Sequence, residues 1–108
     1  LLGRRKKNLC GLPNYAAAVF LLSADENLWE KVSKQVLDTG IYFDRIRLGS
    51  VTLEQYILFH AARDVYLGTK HIRLSELTDR ELIQDEILRL IVNAFVMERL
   101  EQKMGNRR

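Results

Sequence analysis

Three times along this 108-residue chain a serine or threonine stands three places ahead of a glutamate or glutamine, just before an apolar run begins. The pairs are Ser23 with Glu26, Thr52 with Gln55, and Thr78 with Glu81. In such a box the hydroxyl accepts from a backbone N–H one turn ahead, and the longer side chain returns to the cap's own N–H. Two donors that a helix start leaves orphaned are thereby satisfied. Three such starts in so short a chain dictate a helical protein. Pro13 marks a fourth start, because a missing N–H is no loss in a first turn.

The apolar spacing agrees. Tyr15 to Leu22 is a short, strongly apolar helix whose Ala16, Ala17 and Ala18 suit close packing against a neighbour. From Asn27 to Leu37 the residues Leu28, Trp29, Val32, Val36 and Leu37 recur at helical spacing, and Gly40 suits a left-handed cap. From Thr52 to Leu67 the apolar residues Leu53, Tyr56, Ile57, Ala61 and Val65 mark a buried side. Leu58, Phe59, Ala62 and Tyr66 widen it enough for a central helix, which Gly68 stops. The last helix follows Thr78 and Ile83, carries Ile87, Leu88, Ile91 and Phe95 on one stripe, and ends at Gly105. Residues 41–50, IYFDRIRLGS, keep neither period: Ile41 and Phe43 alternate like a strand, while Ile46 and Leu48 fall out of phase. A lone strand has no partner for its hydrogen bonds, so this stretch reads as a hydrophobic connecting loop, with room for one helical turn. The expectation is an all-α single domain of about four helices over residues 1–108, with basic tails at 1–8 and 104–108.

Length and composition support one core. A chain of this size buries roughly two-thirds of its unfolded surface without needing metals or disulfides. Its 47% hydrophobic and 29% charged residues are those of a globular protein, and a single proline with six glycines disfavours a many-turned sandwich. The one cysteine, Cys10, forms no intramolecular disulfide, which points to a reducing cytoplasmic setting. No run approaches 18 apolar residues, so no membrane span is expected. LLGRRKKN does not read as a secretory signal, because its basic cluster follows the leucines.

The net charge of +3 is unevenly placed. Arg4, Arg5, Lys6 and Lys7 stand at the front, and Lys103, Arg107 and Arg108 at the back. Without those seven, ten basic residues face fourteen acidic ones, a body of about −4. Basic ends of this kind neutralise phosphates without reading sequence.

Two segments, FLLSADENLWEKVS and AARDVYLGTKHIRLSELTDREL, resemble a family of small uncharacterised proteins of Gram-positive gut bacteria, often encoded near phage or mobile-element genes. The likeness spans about residues 15 to 95. It implies a small, bacterial, cytoplasmic protein and brings no catalytic residue with it.

Chemistry-bearing patterns are sparse. The stretch AARDVYLGTKHIRLSEL holds a helix, a glycine, basic residues and a second helix start, the outline of a helix-turn-helix. With Gly68 as the turn, the position four earlier, where a packed alanine is wanted, is Asp64. The better reading is a helix cap at Gly68 followed by a loop whose Ile72 and Leu74 return to the core. His60 and Asp64 lie four apart on one helix face and can pair, with His71 near in sequence and Arg63 a further partner for Asp64. Two histidines without a cysteine fall short of metal spacing. Asp85-Glu86 and Glu98/Glu101 read as solvated helix surface, and no glycine-rich phosphate loop is present. Neither catalytic residue nor cofactor is expected.

The terminal helix is apolar on more than one side, with Leu90, Ala94 and Met97 on a second stripe and Val92 and Val96 beyond. Either this helix is central, or the second stripe meets another chain. The function expected is that of a non-enzymatic protein–protein interaction or oligomerisation module, a homodimer in its simplest form. Leu90, Ala94, Met97 and Leu100 would bind the partner. The alternative is a small DNA- or RNA-associated regulator using Arg4, Arg5, Lys6, Lys7, Lys70, His71 and Arg73.

Overall fold

In the computed structural model the backbone is described for residues 12–105 and the side chains for residues 12–100. Five α-helices and one short hairpin make up this part: α1 (Pro13–Leu22), α2 (Glu26–Val32), β1 (Val36–Leu37), β2 (Gly40–Ile41), α3 (Leu53–Leu67), α4 (Leu74–Leu77) and α5 (Asp85–Gly105). The domain is mostly helical, with a small two-stranded sheet that the all-α expectation did not contain.

The core is organised around α1, not around α3 or α5. This ten-residue helix packs against both of the longer ones, which meet each other over a smaller area. Ala17 and Ala18 are fully buried, as are Ala62 on α3 and Ala94 on α5. Small residues on all three helices let the backbones approach closely, and Leu21, Leu22, Leu58 and Ile91 fill the remaining space. Pro13 opens α1 as the sequence indicates.

The boxes at Ser23 and Thr78 do not form. Ser23 ends α1, and α2 is instead capped by Asp25, whose Oδ1 accepts from Leu28 N at 2.9 Å. Thr78 ends α4; Asp79 then starts a turn, and α5 begins at Asp85. The Thr52 box forms in full: Gln55 N donates to Thr52 Oγ1 at 3.1 Å and Thr52 N to Gln55 Oε1 at 3.0 Å. Gln55 Nε2 also donates to Asp25 Oδ1 at 2.9 Å, so a single buried amide ties the start of α3 to the start of α2.

The predicted helix over 27–37 stops at Val32. A 3-10 turn at Ser33–Gln35 leads into β1, which pairs antiparallel with β2, Val36 opposite Ile41 and Leu37 opposite Gly40. The strand partner that seemed missing is therefore the end of the supposed helix. Gly40, with φ +147°, follows a two-residue turn and does not cap a helix. Two tyrosines hold the hairpin to the helices. Tyr15 Oη donates to Leu37 O at 2.8 Å, and Ile41 N donates to Tyr66 Oη at 3.2 Å. A second 3-10 turn at Phe43–Arg45 buries Phe43 edge-on against Phe59, 5.5 Å between ring centres.

Candidate functional site

The chain beyond α3 turns on Asp64. Gly68 takes the left-handed conformation, φ +76°, and its N–H returns to Asp64 O, a cap of the expected kind. The loop then folds back over the Asp64 carboxylate, which is buried. Oδ1 accepts from Thr69 Oγ1 at 2.6 Å, His71 N at 2.9 Å and His71 Nδ1 at 2.8 Å, and Oδ2 accepts from Ile72 N at 2.7 Å. Burial pushes the Asp64 carboxyl up, but the bonds from Thr69, His71 and Ile72 outweigh it and hold the pKa below its ordinary value. Asp64 is thus a carboxylate at neutral pH.

That network corrects several expectations. Asp64 pairs with His71 across the loop, not with His60 one turn back, and Arg63 pairs weakly with the exposed Asp44 at 3.6 Å. Ile72 packs against the core, whereas Leu74 is 81% exposed. Residues 69–73 form no helix, and α4 spans four residues, so the segment contains no recognition helix. Lys70 and Arg73 are exposed, but the His71 ring is committed to Asp64. Arg4, Arg5, Lys6 and Lys7 lie outside the described residues, as does Cys10.

His60 stands beside this network. Its ring lies 5.1 Å from the His71 ring and 4.3 Å from that of Tyr56. His60 Nδ1 is buried and has no hydrogen-bond partner. A buried acceptor without a partner is tolerated better than a buried N–H without one, which places the proton of the neutral ring on Nε2. Burial, followed by the neighbouring His71, lowers the His60 pKa; Asp64 opposes this and Arg63 adds to it. His71 Nδ1 faces the Asp64 carboxylate, which can only accept, so Nδ1 carries a proton and, in the neutral ring, Nε2 is the acceptor. Both rings line a cavity of about 220 Å³ together with Glu76. Its other walls are apolar: Leu53, Tyr56, Ile57, Ile72, Leu82 and Ile83. Leu53 and Tyr56, expected inside, are about half exposed because they form the cavity's outer lip. A larger hollow between Asn27 and Gln55 is lined by polar residues and Val51, and its Gln55 is already bonded to Thr52 and Asp25. Among the described residues no group of three or more His, Cys, Asp or Glu is placed to hold a metal ion.

The second candidate is the outer side of α5. Ile87, Ile91 and Ala94 are its buried residues, while Leu88, Leu90 and Met97 are half-buried at the edges. Ala94 is fully enclosed and unavailable to a partner. Phe95, placed by spacing on the core stripe, is 45% exposed. Val92, Val96 and Leu100 follow at intervals of four residues with Phe95 beside them, three after Val92, each of the four between 45% and 53% exposed. Of the four partner-binding residues expected from sequence, Leu100 alone belongs to this open face. Glu98 lies at its border, and burial raises its carboxyl pKa.

Among the described residues no helix is long and apolar enough to cross a membrane. Among the described residues, site and fold define a small helical domain with a hairpin, a histidine-lined cavity and an exposed apolar helical face. Comparison with protein-family models, with curated proteins and with solved structures finds no match to this chain.

Proposed function

We propose that the protein is a non-catalytic, self-associating helical module, and that the outer face of α5 pairs with the same face of a second copy. The observation that carries this is the row Val92, Phe95, Val96 and Leu100, which among the described residues gathers four half-exposed apolar side chains on one helix, whereas the other exposed large apolar residues are spread over several elements. Four half-exposed side chains of this size make a patch on the order of 300 Å², the range in which contiguous apolar surface is commonly functional.

Charge favours an antiparallel pair. Asp85 and Glu86 open the helix and Lys103 stands near its end, so antiparallel copies set opposite charges together and parallel copies set like charges together. The register that opposes Val92 to Val96 also opposes Asp85 to Lys103, although it brings Arg89 near Arg99. Long arginines at an exposed rim diverge, and such a contact costs little.

The area sets the strength. Two patches remove about 600 Å² of apolar surface from water, roughly 15 kcal/mol at 25 cal/mol/Å², against an association cost of about 4–15 kcal/mol. A weak, concentration-dependent dimer follows, not an obligate one.

Sedimentation velocity at increasing protein concentration, in low and in 0.5 M salt, tests this. The expected result is a mass rising toward two chains in both salts and lost in Val96→Asp, whose exposed site leaves the core intact. A chain that stays monomeric throughout, or a dimer indifferent to Val96→Asp, overturns the reading. A gain of mass with generic duplex DNA at low salt only would do so in favour of the nucleic-acid alternative.

A further inference from the structure

The cavity between α3 and the 71–83 segment presents an arrangement that self-association does not use. His60 lines one wall, and because its Nδ1 is buried and unbonded, Nε2 is the ring nitrogen left to meet a ligand, as a donor in the neutral ring. His71 lines the other, and with its Nδ1–H on the Asp64 carboxylate at 2.8 Å the neutral ring keeps Nε2 as the acceptor for a ligand. The two rings stand 5.1 Å apart, tilted by 34°. A donor and an acceptor side by side match a group that both accepts and donates one hydrogen bond. A hydroxyl does this. A carboxylate only accepts and an ammonium only donates.

The remaining surroundings narrow the class. Glu76 lies on the cavity wall and Asp64 behind His71, so negative charge already surrounds the site and an anion is disfavoured. Glu76 Oε1 accepts from Arg73 N at 2.7 Å, which holds this carboxylate in place. The volume of about 220 Å³ lies below the roughly 300–1,000 Å³ of pockets for larger ligands, so it suits one ring with a short substituent. Tyr56, whose ring already meets His60 edge-on, supplies an aromatic wall.

We propose that this cavity is a binding site for a small uncharged hydroxylated aromatic molecule, a phenol in chemical class. Its ring lies among Leu53, Tyr56, Ile57 and Leu82. Its hydroxyl accepts from His60 Nε2–H and donates to His71 Nε2. The same hydroxyl on an apolar body distinguishes the ligand from a hydrocarbon of equal shape, since only the hydroxyl satisfies both imidazoles.

The test is a titration of the full chain at pH 8 with phenol, toluene and benzoate, followed by the imidazole and backbone resonances in heteronuclear NMR. Saturable shifts with phenol are expected at His60, His71, Ile72 and Leu82, with at least tenfold weaker binding of toluene and of benzoate. His60→Phe keeps a ring in place and removes the donor, so it should reduce the preference for phenol over toluene to less than threefold. Ile83→Trp, checked for folding by circular dichroism, should abolish all binding by filling the cavity. Three results would overturn the proposal: no saturable shift with phenol up to its solubility, equal binding of toluene, or tighter binding of benzoate. The dimer plays no part in the argument, so Val96→Asp should bind phenol as the parent chain does.

Discussion

Replacing Asp64 tests the most consequential contact in the structure. Its two oxygens receive four hydrogen bonds between 2.6 and 2.9 Å, and two of the donors are backbone N–H groups. Bonds to a charged acceptor contribute about 1.5–3 kcal/mol each when measured singly. Their sum overstates the loss, because Thr69 and His71 lie in an exposed loop where water replaces the carboxylate. Ile72 is different, since its side chain packs against the core and its N–H reaches the buried Oδ2. Asp64→Ala should therefore cost about 2–4 kcal/mol, and Asp64→Asn, which keeps one acceptor, about half as much.

The assay is urea unfolding at pH 7 followed by circular dichroism, together with hydrogen exchange at the amides of His71 and Ile72. Those two amides should lose protection before the helices unfold. The pH dependence gives an independent reading. The Asp64 carboxyl has a folded pKa below its ordinary 3.8, so its contribution is present above that value and is lost as pH falls through the lower folded one. Asp64→Ala should flatten this part of the acid limb. A variant within about 0.5 kcal/mol of the parent chain, with both amides still protected, would refute the reasoning.

Two further outcomes are expected. Gly68 has φ +76° and nothing within 4 Å of where a Cβ would stand, so Gly68→Ala should cost about 1 kcal/mol in urea unfolding for conformational reasons alone. An unchanged stability would mean that α3 ends differently. Burial, then the His71 ring, holds His60 below its ordinary 6.5, so the unfolded chain takes up that proton first and stability falls as pH drops below 6.5 toward the folded value. His60→Phe should remove this slope, and a parent chain of constant stability between pH 7 and 5 would contradict the assigned burial.

Much of this architecture is legible in the sequence, and the failures have identifiable causes. The Thr52–Gln55 box and the Gly68 cap are local events, completed within four residues of one helix, and both form as written. The Ser23 and Thr78 boxes satisfy the same pattern, yet Asp25 and Asp79 lie between their members and offer carboxylates to nearby N–H groups. A pattern of spacing does not rank its competitors. The hairpin was hidden because Val36 and Leu37 continue a helical period by coincidence. What turns them into a strand is distant: Tyr15 and Tyr66 provide the bonds that fix residues 37 and 41. The exposed residues of α5 are Val92, Phe95, Val96 and Leu100, not the stripe of Leu90, Ala94 and Met97, since periodicity gives a stripe's width but not its azimuth. Ala94 is fully buried on the helix that packs against α1, a fact that belongs to the packing of three helices.

Asp64 shows why a conflict in the sequence can be its most informative point. A helix-turn-helix needs a packed alanine four residues before the turn glycine, and a carboxylate there looks like a simple mismatch. The structure gives the mismatch a mechanism. A recognition helix starting after Gly68 would leave its first backbone N–H groups free to point outward, at the N-terminus of that helix. Here the Asp64 carboxylate captures the N–H groups of His71 and Ile72 and draws them back onto α3. Helix formation waits until Leu74, and α4 ends at Leu77. The same carboxylate orients the His71 ring, which lines the cavity, by taking its Nδ1–H. One buried charge thus holds the backbone of residues 71 and 72 against α3 and, by the same bonds, shapes the segment as one wall of the cavity.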